Sequence, residues 1–156
     1  MKPAIGDEAT RKGVVLVLDD DPAVRRYIRR ILEVNGFDVI DVGHVEAATR
    51  VVEELGCKLR LIITDIVIPH ISGLDFGAQL HQINCPVEIL YISGYVGSIV
   101  VEGLRQRHPH HVLLKPFSPS ELLERIDNLL AGDLLRLPPV AELHDGVCAP
   151  SGAPHV

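Results

Sequence analysis

Short apolar runs recur along the 156-residue chain and alternate with stretches in which apolar residues return every three or four positions. The runs predict strands, because continuous apolar segments of this length suit strands that helices cover on both faces. A run interrupted by aspartates, at 37–42, instead predicts a strand nearer the edge of the sheet. The predicted strands cover residues 14–18, 37–42, 61–63, 87–92 and 112–114.

The stretches between the runs predict helices with recognisable ends. Asp21 is suited to cap the first helix, Pro22 to open it and Gly36 to follow its last turn. The segment SPSE at 118–121 forms a capping box before an apolar stripe that ends at Gly132. The predicted helices cover residues 22–35, 45–55, 72–83, 96–107 and 119–131.

Strand and helix alternate along the chain, which predicts an α/β fold with a doubly wound parallel sheet and helices on both faces. We expect the folded domain to span 13–132, after a flexible N-terminal segment at 1–12 and before a proline-containing tail or linker at 133–156. Ligands in such sheets bind beyond the carboxyl ends of the strands. The residues directly after each apolar run are therefore the candidates for chemistry.

Composition narrows the classes of protein. Apolar residues make up 47% of the chain, and 15 basic against 21 acidic side chains give a formal charge of −6. An acidic chain does not favour a large nucleic-acid interface, which needs clustered lysine and arginine, and no apolar run reaches the roughly 20 residues of a membrane span. The polar first dozen residues lack the apolar segment of a signal peptide, so we expect a cytoplasmic protein. Three cysteines at unpaired spacings do not predict a disulfide framework.

Polar residues follow four of the predicted strands. They are Asp19 and Asp20 after the first, Asp65 after the third, Ser93 after the fourth and Lys115 after the fifth. In a parallel sheet these side chains converge on one edge, where clustered carboxylates repel one another unless a cation neutralises them. Hard oxygen ligands without a histidine or cysteine cluster suit Mg²⁺. A hydroxyl and an ammonium beside such a cation suit phosphoryl oxygens, so the constellation points to phosphoryl transfer.

The segments that carry these residues resemble a known family. VLVLDDDP, LIITDIVIPHISGLD, ILYISGY and VLLKPFSPSEL occur in the order and spacing typical of the receiver domain of two-component response regulators. Asp65, Pro69 and Gly73, each four residues apart, are typical of that family around its phosphoacceptor. The resemblance covers about 13–132 and implies a flavodoxin-like (βα)5 fold with strand order 2-1-3-4-5.

The resemblance implies a metal site and a phosphoacceptor. Asp65 matches the aspartate that is phosphorylated in the family, and Asp19 and Asp20 match the pair that binds Mg²⁺. The backbone carbonyl of Val67 would be a further metal ligand.

The remaining motif residues match the parts of the family that respond to phosphorylation. Ser93 matches the switch residue that hydrogen-bonds the phosphoryl group. Lys115 matches the invariant lysine, whose peptide bond to the following proline, here Pro116, is cis in the family. The chain departs from the family pattern at Val112, where many receivers carry an aromatic switch residue.

The resemblance also implies partners. A histidine kinase or histidine phosphotransfer protein would donate the phosphoryl group, and no direct binding of nucleic acid or membrane is expected. A homodimer through the fourth and fifth helices is compatible with the family. We interpret the chain as a switch rather than an enzyme, with self-phosphorylation from small donors and slow self-dephosphorylation as its only reactions. The ISGY context of Ser93 resembles receivers attached to hybrid histidine kinases.

Two other classes of function remain open on sequence alone. Asp19 and Asp21 after an apolar strand also resemble the nucleophile motif of haloacid-dehalogenase-like phosphatases, with Asp19 as nucleophile, but the last acidic motif of that family is missing and Asp65 would be idle. An interaction module that is never phosphorylated is the third interpretation, and the complete set of candidate residues argues against it.

Two clusters of ionisable residues lie outside these motifs. The tract HPHH at 108–111 is interpreted as a solvated loop rather than a metal site. Arg25, Arg26, Arg29 and Arg30 form a basic face on the first helix, which we interpret as solvated and as a candidate contact for a phosphoryl donor.

Overall fold

The computed structural model describes residues 11–69, 71–80, 87–94 and 98–131. Its strands are β1 (Val14–Leu18), β2 (Asp38–Val42), β3 (Leu59–Asp65), β4 (Glu88–Ser93) and β5 (Val112–Leu114). Its helices are α1 (Pro22–Val34), α2 (Val45–Leu55), α3 (Gly73–Leu80), α4 (Ile99–Arg107) and α5 (Pro119–Ala131). The strands form one parallel sheet of order β2-β1-β3-β4-β5. The flavodoxin-like fold and its strand order are therefore confirmed.

Successive residues of each strand point to opposite faces of the sheet, so the core has two layers. One layer packs the sheet against α1 and α5 and includes Val17, Ile28 and Ile126. The other packs it against α2, α3 and α4 and includes Leu16 and Phe76. Because helices cover both faces, the inner strands are apolar at most positions, whereas β2 lies at the edge, as its aspartates predict.

Both predicted ends of α1 and the predicted start of α5 are present. The side chain of Asp21 accepts a hydrogen bond from the Ala23 amide at 2.9 Å, and Gly36 follows α1 with a φ of 93°. At the start of α5, the amide of Glu121 donates to Ser118 Oγ at 3.1 Å, and the amide of Ser118 donates to Glu121 Oε2 at 2.7 Å. This reciprocal pair is the capping box that the sequence predicts.

Residues 1–10, 70, 81–86, 95–97 and 132–156 lie outside the described part of the chain. These positions include the predicted tail, the end of the predicted third helix and the start of the predicted fourth. Of the predicted flexible N-terminal segment, Arg11 and Lys12 are described. Arg11 pairs with Asp38 at 2.8 Å, and the Lys12 amide donates to the Gly36 carbonyl at 3.0 Å.

None of the described helices is long and apolar enough to cross a membrane.

The histidine tract is not a fully solvated loop, contrary to expectation. Pro109–His111 forms a short 3₁₀ turn before β5, and the side chain of His111 is only 12% exposed. Its Nδ1 lies 2.9 Å from the Ile89 carbonyl oxygen, so Nδ1 carries the proton and donates it. Burial lowers the pKa of His111 and outweighs the raising effect of the hydrogen bond to Ile89, and the neighbouring His108 and His110 lower the pKa further. His111 therefore belongs to the packed connection between α4 and β5.

Cys57 forms a disulfide bond, which the number and spacing of the cysteines do not predict. Cys57 lies in the 3₁₀ turn Gly56–Lys58, at the amino end of β3. The other two cysteines of the chain, Cys85 and Cys148, fall outside the described residues.

Gly77 allows α3 to pack closely on β4. A methyl group at position 77 would lie 2.1 Å from the hydroxyl oxygen of Tyr91 and 3.4 Å from Cδ1 of Ile89. The Tyr91 side chain is buried, and its hydroxyl has no hydrogen-bond partner among the described groups. Burial also raises the pKa of Tyr91. The contact between helix and strand therefore depends on the absence of a side chain at position 77.

We expect Gly77→Ala to lower the free energy of unfolding by roughly 1–3 kcal/mol, because the added methyl group overpacks the core. Tyr91→Phe should be neutral or stabilising by about 1 kcal/mol, since it removes a buried hydroxyl without a partner. The double variant should recover part of the lost stability, because phenylalanine removes the hydroxyl oxygen and leaves Cζ, 3.2 Å from the methyl position, as the nearest ring atom. Urea denaturation measures all three.

Gly103→Ala is the matched control, because outside its own helix backbone no described atom lies within 4 Å of a methyl group at that position of α4. It should stabilise the domain by up to about 1 kcal/mol through helix propensity. A Gly77→Ala cost that is equal in the tyrosine and phenylalanine backgrounds would show that the Tyr91 hydroxyl is not the obstacle.

Candidate functional site

Three carboxylates meet at the carboxyl edge of the sheet. Asp19 and Asp20 follow β1 directly, and Asp65 is the last residue of β3. One oxygen of each lies within 4.8 Å of the others. Asp19 and Asp65 are buried and Asp20 is exposed. The structure thus brings together the three acidic side chains that the sequence proposes as metal ligands.

Lys115 reaches into this cluster from the end of β5. Its Nζ donates to Asp65 Oδ2 at 2.7 Å and to Asp19 Oδ2 at 3.2 Å. Its backbone amide donates to the Ser93 carbonyl at 2.8 Å, and its peptide bond to Pro116 is cis, as the resemblance implies. The ammonium is therefore shared between the two buried carboxylates.

Backbone amides hold the other oxygens of the two buried carboxylates. The amide of Asp21 donates to Asp19 Oδ1 at 2.9 Å, and the amide of Val67 donates to Asp65 Oδ1 at 3.0 Å. Each carboxylate is thus oriented by one amide of its own loop and by the ammonium of Lys115. These four hydrogen bonds orient both carboxylates.

Gly73 brings the start of α3 against the end of β3. Its amide donates to the Ile66 carbonyl at 2.7 Å. A methyl group at position 73 would lie 2.1 Å from the backbone oxygen of Asp65. The backbone cannot yield as a flexible side chain could, so this close approach explains why a glycine stands eight residues after Asp65.

Ser93 and Val67 border the cluster. Ser93 is the last residue of β4 and is fully buried. The register pairs Asp65 with Ile92, so Ser93 lies one residue further toward the carboxyl edge. The side chain of Val67 is 67% exposed, next to the amide that contacts Asp65. The expected roles of the Ser93 hydroxyl and the Val67 carbonyl remain predictions.

The charges of the site do not balance. Three ionised carboxylates carry −3 and Lys115 carries +1, which leaves −2. Burial raises the pKa of Asp19 and the charge of Asp65 adds to this, against the lowering effects of the Asp21 amide and of Lys115. Burial alone would lower the pKa of Lys115, but its hydrogen bonds and ion pairs with Asp65 and Asp19 outweigh burial and raise it. A site of charge −2 built from carboxylate oxygens is suited to a divalent cation such as Mg²⁺.

Comparison with known families identifies this kind of site. The family described as response regulator receiver domain matches residues 15–127. The chain belongs to this family. It is a receiver domain of two-component response regulators, as the motifs around Asp65 and Lys115 indicate, and the receiver family is one of signalling switches.

Individual relatives agree with this assignment. The receiver is 34% identical over 120 residues to the transcriptional regulatory protein AruR of Pseudomonas aeruginosa. This alignment covers 74% of the present chain and 48% of AruR. It is 27% identical over 117 residues to the response regulator receiver protein CpdR of Brucella abortus. That alignment covers 74% of the present chain and 95% of CpdR. The chain thus spans about half the length of AruR and nearly all of CpdR.

A solved structure supports the fold. The crystal structure of a response regulator receiver domain protein from Clostridium thermocellum aligns with a TM-score of 0.68 at 21% identity. The alignment covers 79% of this chain and 98% of that chain.

The phosphatase interpretation is not supported. It requires Asp19 as the nucleophile and leaves Asp65 without a role. The structure places Asp65 inside the carboxylate cluster, and Lys115 lies closer to Asp65 than to Asp19. The family match points the same way.

Sequence reasoning missed the role of one arginine beside the site. The basic face of α1 predicts solvated side chains, but Arg25 Nη1 donates to the backbone oxygen of Asp19 at 2.7 Å and Arg25 Nε donates to Asp41 Oδ2 at 3.1 Å. Arg29 pairs with the same Asp41. One signal in the sequence could have indicated this role. Asp41 lies near the end of the predicted edge strand, and the predicted topology places that strand beside the first strand and the loop after it.

In buffer that contains a chelator, we expect Asp19→Asn to raise the urea midpoint at pH 7. The raised pKa of Asp19 means that ionisation costs the folded state more than the unfolded state. The native domain therefore loses stability as pH rises from 3.8 through the folded-state pKa, and this loss persists at neutral pH. Asparagine removes the charge, while Lys115 keeps its contact with Asp65.

The advantage of Asp19→Asn should shrink as pH falls toward 3.8, because the parent carboxyl is then protonated. Asp21→Asn is the matched control, since Asp21 is exposed and an asparagine can still cap α1. A midpoint for Asp19→Asn at pH 7 that equals or falls below that of the parent would contradict the assignment of a costly buried charge.

Proposed function

We propose that this receiver accepts a phosphoryl group on Asp65 from the phosphohistidine of a histidine kinase or histidine phosphotransfer protein, and relays the signal by a change of conformation. The observation that carries the proposal is the 2.7 Å contact between Lys115 and Asp65 within a cluster of carboxylates. A nucleophilic carboxylate flanked by an ammonium and by two further carboxylates is suited to phosphoryl transfer.

Asp19, Asp20 and Asp65 would hold Mg²⁺, with the backbone carbonyl of Val67 as a further ligand. The all-oxygen donor set and the uncompensated charge of −2 support this assignment. Bound Mg²⁺ supplies neutralisation of the negative charge on the phosphoryl oxygens.

The side chains of the site divide the chemistry among them. A carboxylate oxygen of Asp65 forms a bond to phosphorus, the bond between phosphorus and the donor's imidazole nitrogen breaks, and the electron pair leaves on that nitrogen. Lys115, which already donates to Asp65, stabilises the charge on the transferred group. The hydroxyl of Ser93 donates a hydrogen bond to the same group.

Phosphorylation changes the charge of the sheet edge. A phosphoryl group adds roughly −1.5 to −2 charges at neutral pH. It does so beside buried groups, where charge is poorly screened, and such a change can bias an equilibrium between two surface conformations. Because Val112 replaces the aromatic residue of many receivers, we propose that Ser93 responds without an aromatic partner at that position.

The donor would bind at α1. Arg26 and Arg30 are exposed and lie one turn apart on this helix, unlike the two arginines that pair with Asp41. Tyr27, 41% exposed, packs on Phe117 with ring centres 5.7 Å apart and donates its hydroxyl to the Phe117 carbonyl at 3.0 Å. This contact ties the exposed face of α1 to the loop that follows Lys115.

The proposal includes an assembly. The first turn of α4 presents Ile99 and Val100, which are 90% and 56% exposed. These apolar side chains support a homodimer through α4 and α5.

The proposed compartment is the cytoplasm, where histidine kinases present their phosphoryl groups, although a disulfide such as that of Cys57 is uncommon there.

With acetyl phosphate and Mg²⁺, the parent should take up one phosphoryl group, and Asp65→Asn should take up none, because the amide is not a nucleophile of comparable strength. Asp21→Asn, the same change in an exposed cap, should label at the parental rate. Intact-protein mass spectrometry measures the labelled fraction, and a chelator should abolish labelling. Equal incorporation by Asp65→Asn would remove Asp65 from the role.

An unlabelled parent would instead favour the module that is never phosphorylated. Repeated turnover of a small phosphate ester, rather than one event per site, would favour a hydrolase. The same samples distinguish these outcomes, since released phosphate can be measured beside the labelled protein.

The double variant Arg26→Glu and Arg30→Glu should slow phosphoryl transfer from a phosphorylated donor by on the order of tenfold, because charge reversal at a docking face mainly lowers the association rate. Labelling by acetyl phosphate should be unchanged. The matched control reverses Arg50 and Lys58, which are also exposed but lie elsewhere on the surface. Equal slowing in both double variants would show a general charge effect rather than docking at α1.

A further inference from the structure

Arg25 connects β2 to the peptide that joins two of the candidate metal ligands. Its Nη1 donates to the backbone oxygen of Asp19 at 2.7 Å, and its Nε donates to Asp41 Oδ2 at 3.1 Å. The side chains of Arg25 and Asp41 are each 20% exposed. Both contacts therefore form largely away from bulk water, and both are strengthened by charge.

The oxygen that Arg25 holds determines how two carboxylates are placed. The carbonyl of Asp19 and the amide of Asp20 belong to one planar peptide unit. Holding this oxygen fixes the orientation of that plane, and with it the directions in which the two side chains leave the backbone. The amide of Asp19 is also held, because it donates to the Val42 carbonyl at 3.2 Å. Both sides of Asp19 are thus anchored on contacts that lead to β2.

The guanidinium of Arg25 has little freedom to move. Asp41 lies opposite Val17 in the β1–β2 ladder, and its second oxygen accepts a hydrogen bond from Arg29. A methyl group at position 43 would lie 2.9 Å from Arg25 Nη1 and 3.5 Å from Cζ. Gly43 therefore leaves the space that the guanidinium occupies.

We propose that Arg25 is a positioning residue of the metal site, which sets the relative placement of the Asp19 and Asp20 carboxylates for Mg²⁺ through the backbone oxygen of Asp19. The inference rests on the proposed function, because it requires the carboxylates to bind Mg²⁺. It adds a residue of α1 that provides no ligand atom and that acts through its contacts with Asp19 and Asp41.

The direction in which Mg²⁺ affinity changes when Arg25 is replaced distinguishes positioning from simple electrostatics. Loss of a positive charge near a cation site would, by charge alone, strengthen the binding of Mg²⁺. Loss of positioning weakens it, by roughly tenfold to a hundredfold for residues that orient metal ligands. Arg25→Met should therefore weaken Mg²⁺ binding at least about tenfold, measured by titration calorimetry on the full chain.

The kinetics should show the same separation. With acetyl phosphate, Arg25→Met should need a higher Mg²⁺ concentration for half-maximal labelling of Asp65, and should approach the parental rate at saturating Mg²⁺. Arg25→Lys should restore part of the affinity, because an ammonium can donate to the Asp19 oxygen but lacks the fork that also holds Asp41.

Arg29→Met is the matched control. It removes the same charge from the same helix and from the same partner, Asp41, but Arg29 does not contact the Asp19 carbonyl. Its Mg²⁺ affinity should stay within about twofold of the parent. An equal loss in Arg29→Met and Arg25→Met would overturn the inference, because it would trace the effect to charge or to general stability.

Gly43→Ala tests the same contact without removing a charge. The added methyl group displaces Arg25 Nη1, so Mg²⁺ affinity should fall although every ligand and every charge remains. This variant decides the matter if Arg25→Met does not fold. Parental affinity in the folded variants refutes the positioning role alone, whereas a parent that fails to bind Mg²⁺ refutes the proposed function and with it this inference.

Discussion

Mutual repulsion among three carboxylates at one edge of the sheet is the constraint on which the site depends. Asp19, Asp20 and Asp65 are held within 4.8 Å of one another, and two of the three are buried. Only one ammonium, that of Lys115, offsets them among the groups seen to contact the buried pair. The strand order makes this possible, because it sets β1 beside β3 and leaves only β4 between β3 and the strand that precedes Lys115. Holding these like charges together lowers the stability of the folded domain. Destabilising arrangements of this kind are common at functional sites.

Much of this arrangement follows from local signals in the sequence. The caps at Asp21 and Ser118 are readable because the side chain that satisfies the first free amides lies within a few residues of them. The convergence of Asp65 and Lys115 can be predicted from the sequence for a different reason. In a parallel sheet all strands end at the same edge, so residues far apart in sequence meet there without any knowledge of side-chain packing.

The features that sequence reasoning missed all depend on contacts between elements. Arg25 looks like part of a solvated face until β2 brings Asp41 beside it. His111 looks like a loop residue until the turn before β5 packs it against the Ile89 carbonyl. Hydrophobic periodicity carries no information about either contact, because both are hydrogen bonds between polar groups. A disulfide at Cys57 is equally invisible to spacing, since three cysteines allow more than one pairing.

The disulfide lies at the opposite end of β3 from Asp65. With about 3.3 Å of rise per residue, the seven residues of this strand separate the two ends by roughly 20 Å. The covalent crosslink and the ionic cluster therefore constrain different rims of the same sheet, with a rigid apolar strand between them. Substitutions at the amino rim can alter how firmly the turn around Cys57 is held while the carboxyl rim keeps its geometry, so stability and signalling chemistry can be selected separately within one small domain.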